Sequence, residues 1–374
     1  MKRSRFLVLI LTILALVPCF MNRSVEAKAF NCSARGMCVI EASSHRVLYE
    51  RNKDAKLPMA STTKVVTALT VLNNCTDLDQ VITVDDKAVG VSGTSIYLRY
   101  GEQLSVRDLL YGLMLRSGND AATALAIHVG GSVENFAKMM TQTAVDCGAV
   151  NSHFANPHGL DDPEHYTTAY DLALITAKAL ENPVFSKIVS TVNYQIKETE
   201  QSQIRFLHNK NRLLNSLDGC IGVKTGFTNK AGRCLVSATE RDGMKVVCVV
   251  LNCGPMFEES TQLLNSAYND YSMQTIVPAN THLANKTFMD VKNNMLYVYC
   301  KENIAYPVRA GENLDFDVQY RYLKIRPQND SEIGIVDVFC EKHLIKSAKL
   351  YTINSIELLQ KKDILDSFTK NWVD

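Results

Sequence analysis

The stretch Pro58-Met59-Ala60-Ser61-Thr62-Thr63-Lys64 runs straight into Val65-Val66-Thr67-Ala68-Leu69-Thr70-Val71-Leu72. Val65, Ala68, Leu69 and Leu72 recur at helical spacing, which predicts a helix with one buried face. Pro58 disfavours helical backbone in the residue before it, so the helix starts after that point. Ser61 and Lys64 then stand about one turn apart on a shared face. A serine at a helix start lies in positive potential, among N–H groups with no intrahelical partner, a place suited to generating an oxyanion. A lysine one turn on can take the serine proton if burial and neighbouring cations lower its pKa. The same residues also fit a plain Ser/Thr cap followed by a lysine stem laid along the protein. Only the rest of the chain decides between these readings.

Two further polar triplets bear on that choice. Ser105-Val106-Arg107-Asp108 caps a helix with apolar positions Leu109, Leu110, Leu113 and Met114, interrupted by Arg116-Ser117-Gly118-Asn119-Asp120. An alanine-rich helix follows from about Ala121 to Val129 and stops at Gly130-Gly131. Ser117-Gly118-Asn119 therefore falls on a tight connection between two buried helices, where turn chemistry alone would also accept Ser, Gly and Asn. Farther on, Ile221, Val223 and Thr225 alternate with Gly222 and Lys224 as in a two-faced strand. Lys224 and Gly226 suit one wall of a cleft, a fixed cation beside a glycine that admits a substrate backbone; a solvated lysine at a strand end is the alternative. Arg233 to Ala238 and Met244 to Leu251 complete an antiparallel meander through Asp242-Gly243. Short strands at Gly36–Ile40, Arg46–Tyr49 and Val81–Val84 precede these, and helices are expected at Val133–Cys147 and Ala169–Leu180. His153, His158 and His165 fall on loop and cap positions with irregular spacing, which does not make a metal site.

The ends of the chain read differently. A basic cluster, Met1 to Arg5, an apolar run from Phe6 to Met21 and small residues near Ala27 predict a secretory signal over residues 1–27, with an uncleaved anchor as the alternative. Past Val277-Pro278 come short β-rich runs, Met295–Cys300, Leu314–Tyr320, Ile333–Phe339 and Leu344–Leu350, which predict a small β-sandwich over 277–353. Residues 354–374 are helix-prone, with Ile364, Leu365, Phe368 and Trp372 near one face. Such a tail can lie on a membrane surface or pack on protein, and its acids weaken attraction to anionic lipid. With 40 Lys and Arg against 39 Asp and Glu and no long basic patch, nucleic acid is not an expected partner. Eleven cysteines without C-x-x-C spacing indicate mostly buried thiols, although Cys32 with Cys38, or Cys248 with Cys253, are close enough in sequence to pair.

Together the three triplets are far more specific than any one of them. Ser61-x-x-Lys64, Ser117-Gly118-Asn119 and Lys224-Thr225-Gly226, in this order and context, resemble the motif set of penicillin-binding proteins and β-lactamases. From about Met37 to Tyr271 the chain is similar to the low-molecular-mass penicillin-binding proteins that are serine D-alanyl-D-alanine carboxypeptidases. Leu57–Lys64, Leu110–Ala122, Asn156-Pro157-His158-Gly159-Leu160 and Gly222–Thr228 carry that likeness. The resemblance implies an α/β (α+β) catalytic domain over 28–276, an antiparallel sheet with helices, followed by the small all-β domain. It implies Ser61 as nucleophile, Lys64 as its base and Ser117 as a proton relay toward the leaving D-alanine. It gives Asn119 the task of orienting Lys64 or bonding the substrate amide, Lys224 that of positive potential, and Thr225 that of binding the terminal carboxylate beside Gly226. The N–H groups of Ser61 and Phe227 become the oxyanion hole. No metal or organic cofactor is implied. The implied partners are peptidoglycan stem peptides ending in D-Ala-D-Ala and β-lactams that acylate Ser61, outside the cytoplasm. A β-lactamase fits less well, since Glu164 is the one nearby glutamate and its context does not match a deacylating acid; a catalytically silent wall-binding module would not need the intact triplets.

Overall fold

In the computed structural model, residues 28–198, 200, 203–287, 295–320 and 329–353 are described. The predicted signal and the helix-prone tail lie outside them. Contacts divide the chain into two units, one running to Gln274 and taking in Tyr306–Ala310, the other comprising Thr275–Ala305 and resuming at Gly311.

The first unit is organised by one six-stranded sheet. Its strands are β1 (Lys28–Ala29), β2 (Gly36–Glu41), β3 (Val47–Arg51), and, after a long helical excursion, Cys220–Thr228, Gly232–Arg241 and Met244–Leu251. The excursion contains α1 (Lys64–Asn74), the ribbon β4 (Val81–Thr83) with β5 (Gln103–Ser105), and α2 (Val106–Tyr111). It continues through α3 (Asn119–Gly130), α4 (Val133–Asp146), α5 (Ala169–Leu180), α6 (Pro183–Ser190), the ribbon β6 (Asn193–Ile196) with β7 (Arg205–His208), and the short α7 (Leu213–Ser216). The late strands are then β8, β9 and β10, and the order across the sheet is β1-β3-β2-β10-β9-β8. All pairs are antiparallel except β1 with β3.

Why the sheet sits in the middle is visible in β10. Val247, Val249 and Leu251 belong to one apolar core, and Val246, Cys248 and Val250 to the other. Strand side chains alternate between faces, so a strand that is apolar at every position from Val246 to Leu251 must be covered on both sides. Helices α1 to α6 of the excursion cover one face; α8 (Met256–Asp270), with Leu213 of α7, covers the other. The caps read from the sequence form: Ser105 Oγ accepts from the Asp108 N–H and Thr168 from that of Asp171. The proposed cysteine pairs do not form, and the ten cysteines of the described residues are free thiols. Cys38 and Cys248 face opposite cores, and burial raises both thiols.

The second unit holds β12 (His282–Thr287), β13 (Met295–Cys300), β15 (Leu314–Tyr320), β16 (Glu332–Cys340) and β17 (His343–Thr352) in one antiparallel sheet, ordered β12-β13-β17-β16-β15. Like β12, β11 (Tyr271–Val277) and β14 (Ile304–Arg309) are absent from the sequence reading; these two pair with each other, and each has residues in both units. Val277, Cys300, Ile304, Val336, Val338, Ala348 and Leu350 make its core. Among the described residues no helix is long and apolar enough to cross a membrane.

Candidate active site

Ser61 does not begin an α-helix directly. Ala60–Thr63 form a 3-10 turn, and α1 starts at Lys64. Ala60 itself is at φ 50°, the left-handed region that side chains disfavour. Gly159 presses on this turn: a Cβ there would lie 1.9 Å from the Ala60 carbonyl oxygen, so only glycine admits the approach. His165 braces it too, with its Nε2 2.8 Å from Thr63 Oγ1 while its Nδ1 accepts from the Ala155 N–H. That pattern needs a neutral imidazole, and burial accordingly holds His165 down to about 4. His158 likewise is pushed to about 3, by burial first and then by Lys64. His158 Nδ1 accepts from the Leu160 N–H and His153 Nδ1 lies 2.5 Å from the Glu164 carbonyl oxygen, so all three histidines brace loops.

Lys64 is fully buried, and its Nζ lies 3.0 Å from Ser61 Oγ, 2.7 Å from Asn119 Oδ1 and 2.6 Å from the His158 carbonyl oxygen. The Asn119 amide orientation is fixed, because its Nδ2 donates to the Ser92 carbonyl at 2.6 Å. Two of the three partners are therefore pure acceptors. A neutral amine has two N–H donors and one lone pair, and the donors must go to those two oxygens. The lone pair is left to the one partner that carries a proton, Ser61. Burial, then the charges of Lys224 and Lys210, hold the Lys64 pKa well below the usual lysine range.

Ser117 ends a π-helical turn, Gly112–Arg116, that widens the end of α2. It is held at φ 66°, and its buried Oγ has no hydrogen-bond partner among the described residues. Such turns and strained residues cluster at functional sites. Asn119 opens α3, earlier than the sequence pattern placed that helix. Asp120, which the sequence reading passed over, is 1% exposed and accepts from Ser95 Oγ and from the N–H groups of Ile96, Leu98 and Ala121. It thereby fixes the segment that brings Ser92 and Thr94 to Asn119.

The opposite wall is β8, the outer strand of the sheet. Lys224 is 1% exposed, and its Nζ donates to the Thr225 carbonyl at 2.9 Å. Burial, and then Lys210, lower it to about 7. It is no solvated strand-end lysine. A Cβ on Gly226 would stand 3.0 Å from the backbone nitrogens of both Ser61 and Thr62, so this glycine sets how closely strand and turn approach. Ser61, Thr94, Ser117, Lys210, Thr225, Gly226, Phe227, Arg233 and Met256 line a cleft of about 380 Å³. Lys210 and Arg233 were not singled out in the sequence. Their cationic heads reach the cleft from segments whose local patterns carry no motif.

Ser61, Ser117, Thr225, Gly226 and Phe227 thus line one cleft, Lys64 is bonded to Ser61 and Asn119, and Lys224 is close enough to act on Lys64; these residues come from a turn, an inter-helix connection and an edge strand far apart in the chain. A family model described as D-alanyl-D-alanine carboxypeptidase matches residues 22–254. The carboxypeptidase DacF of Bacillus subtilis is 29% identical over 289 residues, covering 75% of this chain and 74% of that protein. DacC of Escherichia coli is 35% identical over 272 residues, 69% of this chain and 66% of its own. Among solved structures, penicillin binding protein 5 from Haemophilus influenzae superposes with a TM-score of 0.74 at 25% identity, over 88% of this chain and 99% of that one.

Proposed function

We infer the activity from a plain premise: the chain belongs to the D-alanyl-D-alanine carboxypeptidase family of serine peptidases. It is a serine D-alanyl-D-alanine carboxypeptidase of peptidoglycan metabolism, acting through an acyl-enzyme, and it binds penicillin. In our reading the acyl group is carried on Ser61. The observation that carries this assignment is the lone pair of Lys64, directed at Ser61 Oγ by its two obligate acceptors.

Ser61 Oγ attacks the carbonyl carbon of the penultimate D-alanine as its proton passes to Lys64 Nζ. The carbonyl oxygen becomes an oxyanion, for which we assign the N–H groups of Ser61 and Phe227; one such donor is worth about 3 kcal/mol. Collapse breaks the peptide C–N bond. The departing amine takes the proton from Lys64 by way of Ser117 Oγ, whose lack of a partner leaves it available for this task. The terminal carboxylate lies against Thr225, in the potential of Lys224, Lys210 and Arg233, cations that line or flank a cleft without a lining carboxylate. Water then hydrolyses the ester on Ser61, with the deprotonated Lys64 taking its proton.

Residues 1–27 serve in this reading as an export signal, 28–276 as the catalytic domain and 277–353 as a β-sandwich that holds no chemistry. The helix-prone sequence of residues 354–374 is read as a tail suited to a membrane surface. The family's substrate, outside the cytoplasm, motivates the first assignment, and the separate six-stranded and five-stranded sheets support the second and third. Fluorescent penicillin tests the site. Wild type is expected to label and to release D-alanine from a pentapeptide, and Ser61→Ala to do neither; equal labelling of the two would overturn the assignment.

A further inference from the structure

Exposed aromatic residues lie on two segments that lead into the cleft through Thr94 and Lys210. Tyr97 is 82% exposed, Tyr100 74% and Phe206 75%, with Ile204 nearby at 44%. They ride on two segments joined by a buried ion pair: Arg205 reaches the Ile96 and Tyr97 carbonyl oxygens and pairs with Glu102 at 2.7 Å, the side chains being 11% and 3% exposed. Glu102 also accepts from the N–H groups of Arg99 and Gln203. Tyr97 stands at φ 62°, an unfavourable backbone state for a bulky residue. It is kept there by Ser95 Oγ, which accepts from its N–H at 2.8 Å, and Ser95 is in turn bound by Asp120. The fold thus strains its backbone to present a ring to solvent, and such strain marks functional positions. A patch of large rings on a soluble surface marks an interaction site.

We propose that this aromatic rim takes the glycan strand to which the stem peptide is attached, so that the enzyme prefers polymer-borne over free peptides. The proposal rests on the carboxypeptidase reading above. Tyr97 lies three residues from Thr94, and Phe206 four from Lys210; both Thr94 and Lys210 line the cleft. At about 3.5 Å per extended residue Tyr97 and Phe206 lie within roughly 14 Å of the cleft wall and Tyr100 within roughly 21 Å, and a five-residue stem reaches about 17 Å. A glycan bearing a peptide seated at Ser61 therefore comes within reach of these rings. Sugar rings offer flat C–H faces that stack on aromatic faces and hydroxyl edges that bond to polar neighbours, here the exposed Arg99, Gln203 and His208. A glycan fits this mixture of rings and polar groups better than an apolar protein helix does.

The test compares wild type with the triple variant Tyr97→Ser, Tyr100→Ser, Phe206→Ser on two substrates, a free pentapeptide and insoluble peptidoglycan rich in pentapeptides. The triple variant is expected to keep its kcat/KM on the free peptide within about twofold and to lose about tenfold on the polymer. Co-pelleting of Ser61→Ala with the same peptidoglycan is expected to weaken alike when the three substitutions are added. Unchanged polymer hydrolysis and pelleting, or an equal loss on both substrates, would overturn the proposal. So would full recovery with leucines in place of the serines, which restores apolar area without flat rings, or loss of binding to anionic phospholipid vesicles with polymer binding intact. If wild type released no D-alanine from either substrate, the carboxypeptidase reading would fall, and the pelleting comparison would still decide the rim.

Discussion

The two buried lysines of the cleft, Lys64 and Lys224, have the same side chain and nearly the same exposure but opposite surroundings. Lys64 is enclosed by three oxygens, at the start of α1. Among the described residues Lys224 has one acceptor, the Thr225 carbonyl, on an edge strand beside the open cleft. Both pay for burial with a depressed pKa; Lys224 and Lys210 add to the depression of Lys64, and Lys210 to that of Lys224. The contrast separates two tasks: the enclosed lysine is oriented to accept a proton, and the sparsely bonded one keeps donors and a titrating charge available to an anion.

Removing each lysine should therefore break different things. Lys64→Met is expected to slow acylation by penicillin about 10⁴-fold, the upper range for loss of a general base, read by stopped-flow labelling. A merely structural lysine would instead leave the rate per folded molecule unchanged. Asn119→Asp should cost about 10²-fold at neutral pH and recover as pH rises. A carboxylate at 2.7 Å favours protonated Lys64, so the acid limb of the pH–rate profile moves to higher pH. An unmoved limb would separate Asn119 from the base.

Lys224→Met should weaken acylation about 10-fold to 100-fold through the lost potential, and it should also stabilise the fold. The sign follows from linkage: with a folded pKa of about 7 against 10.5 unfolded, the unfolded chain binds the extra proton between those values, so wild-type stability falls as pH drops from 10.5 to 7. The variant's advantage is thus full below pH 7 and disappears above pH 10.5, as urea unfolding at several pH values would reveal. In the smallest effect, binding of an anionic, non-acylating peptide above pH 7 should take up a fraction of a proton in wild type and none in Lys224→Met. Calorimetry in buffers of different ionisation enthalpy measures it.

Much of this site was legible in the chain. The helical spacing after Ser61 put Ser61 and Lys64 on one face, and the caps at Ser105 and Thr168 were readable because they depend on neighbours three residues away. The Lys224 strand alternated visibly. Asp120 was not singled out: its partners Ser95, Ile96 and Leu98 lie more than twenty residues upstream, and nothing local marks an acid as their organiser. Lys210 and Arg233 escaped for the same reason. The π turn before Ser117 was hidden because apolar spacing over five residues does not distinguish one helical hydrogen-bond register from another. Strands β11 and β14 were missed since each is short and depends on the other for pairing.

By itself the sequence determined which chemistry was possible: a serine and a lysine one turn apart, two further polar triplets, and a chain long enough to bury them. Those are local facts, set by backbone periodicity and side-chain type. The tertiary structure decided what the lysines are. Whether Lys64 is a base or a snorkelling stem depends on burial and on oxygens 55 and 94 residues away in the chain. Desolvation and Coulomb interaction act through space. The stretch from Pro58 to Leu72 thus carries the nucleophile and its base, but the elements folded around it supply the environment that makes them so.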